Sequence, residues 1–192
     1  MEQYKNTVYH GDCLEFMRSV PDGFFDLVLT DPPYGIGMDG GNVGYKGFNN
    51  FEKKNWDNET PTQVIFEEIF RISRNQIIFG GNYFSLPPTR GFFVWDKGEG
   101  FYNRTYAECE FAWTSFDKNA QIFKRDPLAR GDYKGKIHPT QKPLELMKAC
   151  LNYAKAEPHW KIFDPFLGSG TTSVACASKG MDWWGCELEQ DY

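Results

Sequence analysis

The chain is short of several things, and each shortage excludes a class of protein. No apolar run approaches the ~18 residues that a membrane-crossing helix needs, so no membrane partner is expected. The opening stretch, MEQYKNTVYHGD, is polar and makes no secretory leader. The five cysteines are an odd number and include no C-x-x-C pair. That pattern predicts reduced thiols in a cytoplasmic setting, with no disulfide frame and no metal site. There is no internal repeat and no low-complexity tract.

What remains is ordinary in bulk. A chain of 192 residues is long enough for one domain with a real core and short for two, so a single domain over residues 1–192 is expected. Hydrophobic residues at 41% and charged residues at 24% are typical of globular proteins. Aromatics at 17% are high, which suits a densely packed core or a protein that stacks on rings. The net charge of −5 does not suggest a nucleic-acid binder, but its distribution does. Residues 118–142 carry Lys118, Lys124, Arg125, Arg130, Lys134, Lys136 and Lys142 against Asp126 and Asp132, a net +5 that leaves −10 for the rest. A basic stretch on an acidic body is either an electrostatic footprint for nucleic acid or a solvated loop.

Short apolar runs alternate with helical patterns. Strands are expected at Thr7–His10, Phe25–Thr30, Gln76–Phe79, Gly91–Trp95, Cys109–Thr114, Lys161–Pro165 and Trp183–Glu187. Helices are expected at Cys13–Val20, Pro61–Ser73, Pro143–Ala156 and Thr171–Ser178. Thr60 is the expected N-cap of the second helix, with Pro61 in its first turn. The alternation predicts an α/β fold: a mainly parallel seven-stranded sheet with helices on both faces. The segments at 91–95 and 109–114 lack a helix between them and predict an antiparallel pair at one sheet edge. Residues 35–60, rich in glycine, and 115–138, which carry the basic stretch, read as functional loops.

The stretch KIFDPFLGSGTTSVACASKGMDWWGCELE, residues 161–189, reads as strand, glycine turn, helix, strand. Gly168 and Gly170 allow a tight turn, and Thr171 and Thr172 then offer free amides at a helix start, where an anionic group is welcome. Glu187 ends the next strand, where an acid can accept from ribose hydroxyls. No lysine follows Gly170, which excludes a phosphate-binding P-loop. A dinucleotide fingerprint would want a third glycine where Ser173 stands. A nucleoside that carries a carboxylate, S-adenosylmethionine, is the third option.

A second motif, TDPPYG at residues 30–35, follows the apolar Leu27-Val28-Leu29. Alone, Asp-Pro-Pro-Tyr also suits a turn that closes a strand. TDPPYG together with FDPFLGSGTT resembles the DNA amino-methyltransferases, which methylate N6 of adenine or N4 of cytosine. The blocks GDCLEFM, IIFGGNYF, FFVWDKG and IHPTQKPLELM add to the likeness, which spans nearly the whole chain. The order, with Asp-Pro-Pro-Tyr ahead of the glycine turn, resembles the beta group, a circularly rearranged form of the Rossmann-like methyltransferase fold.

The resemblance implies roles. An aromatic exocyclic amine is a poor nucleophile because its lone pair is delocalised. The Asp31 carboxylate and the Pro32 carbonyl are implied to accept its N–H bonds and free that pair, with Pro32 and Pro33 fixing the backbone. Tyr34 is implied to stack on the extruded base. Asp12 is implied to hold the adenosine end of S-adenosyl-L-methionine, and Thr140 and Lys142 its methionine end. Asp164, Pro165, Phe166, Gly168, Gly170, Thr171, Thr172 and Glu187 are implied to complete the cofactor site. Double-stranded DNA is the expected partner, held by Lys118, Lys124, Arg125, Arg130, Lys134 and Lys136 in a short recognition segment at 115–137. Asp at position 31 leans toward adenine, because the cytosine N4 enzymes more often carry Ser there. Methylation at cytosine C5 would need a cysteine that follows proline in that enzyme class, and none of the five does. The cysteines are expected in the core, and His138 is left between a structural and a functional role. The family continues with a helix beyond the strand of Glu187, so a homodimer that covers this part of the sheet is a further expectation.

Overall fold

The computed structural model of the chain describes residues 1–40, 51–128 and 137–190. Eight strands form one sheet: β1 (Thr7–His10), β2 (Leu27–Thr30), β3 (Gln76–Phe79), β4 (Phe92–Asp96), β5 (Cys109–Thr114), β6 (Gln121–Lys124), β7 (Lys161–Asp164) and β8 (Asp182–Glu187). Their spatial order is β1-β8-β7-β2-β3-β5-β4-β6. Among the described strands only β5 is reversed, antiparallel to both β3 and β4, while all other neighbours pair in parallel.

The centre of the sheet is buried on both faces and mostly apolar, with Thr30 and Gln76 as its polar exceptions. All four residues of β2 and of β3 are buried, as expected for parallel strands between two helical layers. The side-chain period of two divides them between two cores. Leu27, Leu29, Ile77 and Phe79 face α3 (Leu144–Ala154) and α4 (Thr171–Ala177). Val28 and Ile78 face α1 (Cys13–Arg18) and α2 (Gln63–Ile72). Much of the aromatic content is spent in this second core, where Phe25 stacks on Phe163 at 4.7 Å and an interplanar angle of 10°.

Four expectations are corrected. The sheet has an eighth strand, β6, which adds in parallel to β4 with Val94 opposite Ile122. QIFK is short and polar at both ends, which in a sequence reads as loop; short polar edge strands of this kind resist pairing with other chains. The pair β4–β5 is antiparallel, as expected, but it lies inside the sheet and not at its edge. Helix α2 starts at Gln63 with Thr62 as N-cap, so Thr60 and Pro61 stay outside it. The turn at Gly35 packs directly on the backbone of Glu59 and Thr60, ahead of the helix. Finally, four cysteines are buried as expected, but Cys109, at the start of β5, is exposed.

Connections place the site. The path β2–α2–β3 steps one way along the sheet, and β7–α4–β8 steps the other way. Two adjacent parallel strands, β2 and β7, therefore send their chains apart, and a crevice opens beyond their carboxyl ends. Open α/β sheets bind ligands at such switch points.

Candidate active site

A cavity of about 340 Å³ occupies this crevice. Its walls come from the carboxyl ends of four parallel strands. Asp12 follows β1, Asp31 and Pro33 follow β2, Asp164, Pro165, Phe166 and Gly168 lie at the end of β7, and Glu187 ends β8. Thr171 and Thr172 line it from the start of α4, and Thr140 and Lys142 from the segment before α3. Twelve of the fifteen residues expected for catalysis and cofactor binding thus meet in one cavity. Pro32, Tyr34 and Gly170 do not line it; Gly170 is the left-handed N-cap of α4 at φ +74°.

One part of the wall is built from two acids at the ends of adjacent strands. The Asp12 carboxylate caps α1, accepting from the amides of Leu14 at 2.7 Å and Glu15 at 3.3 Å. Glu187 accepts from the amide of Gly168 at 2.7 Å through Oε2 and from that of Glu189 at 2.8 Å through Oε1. Glu187 therefore fixes the glycine turn as well as facing the cavity. A carboxylate has about four acceptor positions, so both acids keep capacity for further donors.

Beneath the cavity, Asp164 joins the two strands that part. Thr30 Oγ1 donates to its Oδ1 at 2.7 Å and the Phe166 amide at 3.1 Å. Burial pushes its carboxyl up to about 6, against the pull of these bonds and one from Thr172. His138 stands at the rim, stacked on Trp56 at 5.2 Å, with its Nδ1 3.3 Å from the Thr140 amide. Burial, and then the nearby Lys142 charge, hold its imidazole down at about 4. It is neutral at ordinary pH and shapes the wall where Thr140 stands.

Asp31 lines the cavity just beyond the end of β2. Tyr34 Oη donates to Asp31 Oδ1 at 2.5 Å, and Lys142 Nζ donates to Asp31 Oδ2. Lys142 also lies 3.0 Å from Glu110 Oε2, whose other oxygen is 2.8 Å from Lys97 Nζ. Burial raises the Asp31 carboxyl and Lys142 opposes the rise. Burial also disfavours the Lys142 ammonium, but Asp31 and Glu110 outweigh it and hold its pKa above the usual lysine range. Tyr34, pushed well up by burial and then by Asp31, remains a donor. Its ring does not lie open: Tyr83 stacks on it at 4.8 Å and an angle of 11°. Another ring could stack on that face of Tyr34 only by displacing Tyr83.

Sequence reasoning missed several members of this site. Glu110 and Lys97 had no assigned role, since neither holds a catalytic or binding position in a motif of the sequence. Asp57, whose carboxylate holds the turn after Pro33, and Trp56 lie in the glycine-rich loop and carry no local signature. Lys142, expected on the methionine end of a cofactor, lines the cavity but spends its charge on Asp31 and Glu110.

The basic stretch divides. Lys124 ends β6 and is more than half exposed, 3.4 Å from Glu99. Arg125 follows it, its carbonyl accepting from the Trp95 indole at 2.7 Å. Lys118 does not join them: it donates to the Tyr153 carbonyl at 2.6 Å and sits over the rings of Phe116 and Tyr153. Arg130, Lys134 and Lys136 lie outside the described residues.

Comparisons with known proteins agree with this geometry. The family profile described as DNA methylase matches residues 52–192. The type II methyltransferase M.BglII of Bacillus subtilis is 24% identical over all of this chain and 68% of its own length. The crystal structure of the M1.HpyAVI–SAM complex superposes with a TM-score of 0.57 at 23% identity, covering 96% of this chain and 94% of that one. The cytosine-N4-specific PvuII DNA methyltransferase gives 0.61 at 16% identity, covering 95% and 82%.

Proposed function

The chain belongs to the DNA methylase family, and from that premise we propose that it transfers a methyl group from S-adenosyl-L-methionine to the N6 amine of an adenine extruded from double-stranded DNA. The observation that carries the reading is Asp31, a little-exposed carboxylate at the mouth of a cavity formed where parallel strands part. When bound, the cofactor supplies an electrophilic methyl group. The residues present fit it: Asp12 and Glu187 offer acceptors for hydroxyls on adjacent strand ends, and α4 offers free amides beside Gly168.

The chain's own part is to prepare the amine. Asp31 and the Pro32 carbonyl accept its two N–H bonds, which draws the nitrogen toward a tetrahedral shape and localises its lone pair. Both acceptors are held before the base arrives, so no reorganisation is needed as charge develops. Tyr34 and Lys142 fix the carboxylate, and the two prolines fix the carbonyl. The basic residues around 124–136 hold the phosphates. The adenine reading rests on Asp at position 31; N4 of cytosine is its rival within the same chemistry.

Transfer of labelled methyl to DNA, with the product nucleoside identified by mass, tests both points. N6-methyladenine is expected; N4-methylcytosine would correct the base, and no transfer would refute the function. Asp31→Ala is expected to lower turnover by about a hundredfold or more while calorimetry finds cofactor binding intact. Near-normal turnover in that variant would remove Asp31 from its role.

A further inference from the structure

We propose that Glu110 is a positioning residue for methyl transfer: it shares the Lys142 ammonium with Asp31 and so leaves the Asp31 carboxylate free to grip the target amine. The inference rests on the functional reading above.

The geometry is a row of alternating charges, Asp31, Lys142, Glu110 and Lys97, that sums to zero. The four side chains are 16%, 6%, 18% and 13% exposed, so little water remains to screen them. Tyr34 Oη closes the row into a ring, at 2.5 Å from Asp31 and 3.4 Å from Glu110 Oε2. Two further titratable groups face it from neighbouring elements. His138, on the segment that carries Lys142, is kept neutral. Asp164, at the end of β7, feels the Asp31 charge.

Glu110 reaches this place because β5 runs backwards. Its pairing sets Trp95 opposite Glu110. The start of a reversed strand lies level with the ends of its forward neighbours. A forward strand would have carried an acid at its second position to the far side of the sheet.

Without Glu110, Lys142 would have Asp31 as its one carboxylate partner. Attraction between opposite charges strengthens steeply as water is excluded, so the ammonium would settle wholly against the oxygens that the amine needs. Glu110 draws it partly aside. Its negative charge also raises the proton affinity of Asp31 and of Lys142, which makes Asp31 the stronger acceptor. Burial opposes the Glu110 charge, but Lys142 and Lys97 outweigh it and keep the carboxylate ionised.

The test is Glu110→Gln in the full chain, read by the pH profile of DNA methylation and by the carboxyl titration of Asp31, followed by NMR of 13C-labelled aspartate. Losing the Glu110 charge lowers the proton affinity of Asp31. The acid limb of the profile, and the Asp31 titration, should therefore move to lower pH. Turnover should fall about tenfold to a hundredfold, the scale of a misplaced reacting group, with the KM for the cofactor unchanged. Adding Lys97→Met removes the stranded cation and should bring the acid limb back toward its wild-type position. Should Glu110→Gln not fold, Lys97→Met alone must move the acid limb to higher pH. A merely structural Glu110 would change melting and yield without moving that limb. Wild-type turnover together with an unmoved acid limb and an unmoved titration overturns this inference; a wild-type chain that methylates no DNA overturns the functional reading instead.

Discussion

Pro32 and Pro33 have no amide hydrogens, so the turn they begin must be held by the residues after them. Asp57 does this: it accepts from the amides of Tyr34 at 2.7 Å and Gly35 at 2.9 Å through Oδ1, and from Met38 at 2.7 Å through Oδ2. The rigid backbone that aims the Pro32 carbonyl is thus pinned by one buried acid from the loop that follows. Asp57→Ala leaves three amides without their acceptor and is expected to cost about 1–3 kcal/mol of stability and to depress turnover further than the stability loss explains. Denaturant unfolding beside turnover measures both; a variant with full activity would release the turn from Asp57. At this scale the sequence was readable where chemistry and local pattern coincide, as at Asp31 behind an apolar strand or Gly168 and Gly170 in a turn. Asp57 and Glu110 meet the site only through a fold, and nothing in their immediate neighbours announces it.

Elements show the same division. Local runs were enough to find seven strands and four helices within a residue or two, because apolar period and turn residues are local signals. The missing helix between β4 and β5 marked them as an antiparallel pair, but not which of the two runs backwards, and the reversal of β5 is what carries Glu110 to the carboxyl edge. Close packing between elements is equally invisible in one dimension. The turn after β3 at Gly80, φ +68°, passes so near Tyr34 that an added Cβ would stand 2.1 Å from its ring. Glycine there lets the ring lie between β3 and Asp31. Gly80→Ala must adopt a left-handed backbone, at about 1–2 kcal/mol, and must also push the Tyr34 ring. The hydroxyl then moves off Asp31, and turnover should fall more than cofactor affinity does. Measuring cofactor binding by calorimetry next to turnover separates the two; equal losses, or none, would show that Tyr34 does not depend on this close approach.

For the molecule as a whole, the question is how an acidic chain holds a polyanion. Only the distribution of charge along the sequence hinted at an answer, and the fold divides the basic stretch in a way that composition could not. Strand β6 runs with the forward strands, so its end, with Lys124 and then Arg125, lies at the same edge of the sheet as Asp31. Lys118 precedes β6 and lies toward the opposite edge, where its ammonium meets the last turn of α3, a favourable place for a cation. Lysines that release counterions from DNA steepen the dependence of affinity on salt, by roughly 0.9 in the logarithmic slope for each phosphate neutralised. Replacing Lys124, Arg125 and Arg130 together with Ala is therefore expected to weaken binding to any duplex and to flatten that slope by about 2–3. Lys118→Ala is expected to leave the slope unchanged and to lower stability instead. Cofactor affinity should hold in both, since that cavity is lined by other residues. Binding measured at several salt concentrations decides the matter. A triple variant with the wild-type slope would move the phosphate contacts off this edge, and a shallower slope in Lys118→Ala would put them on the other one.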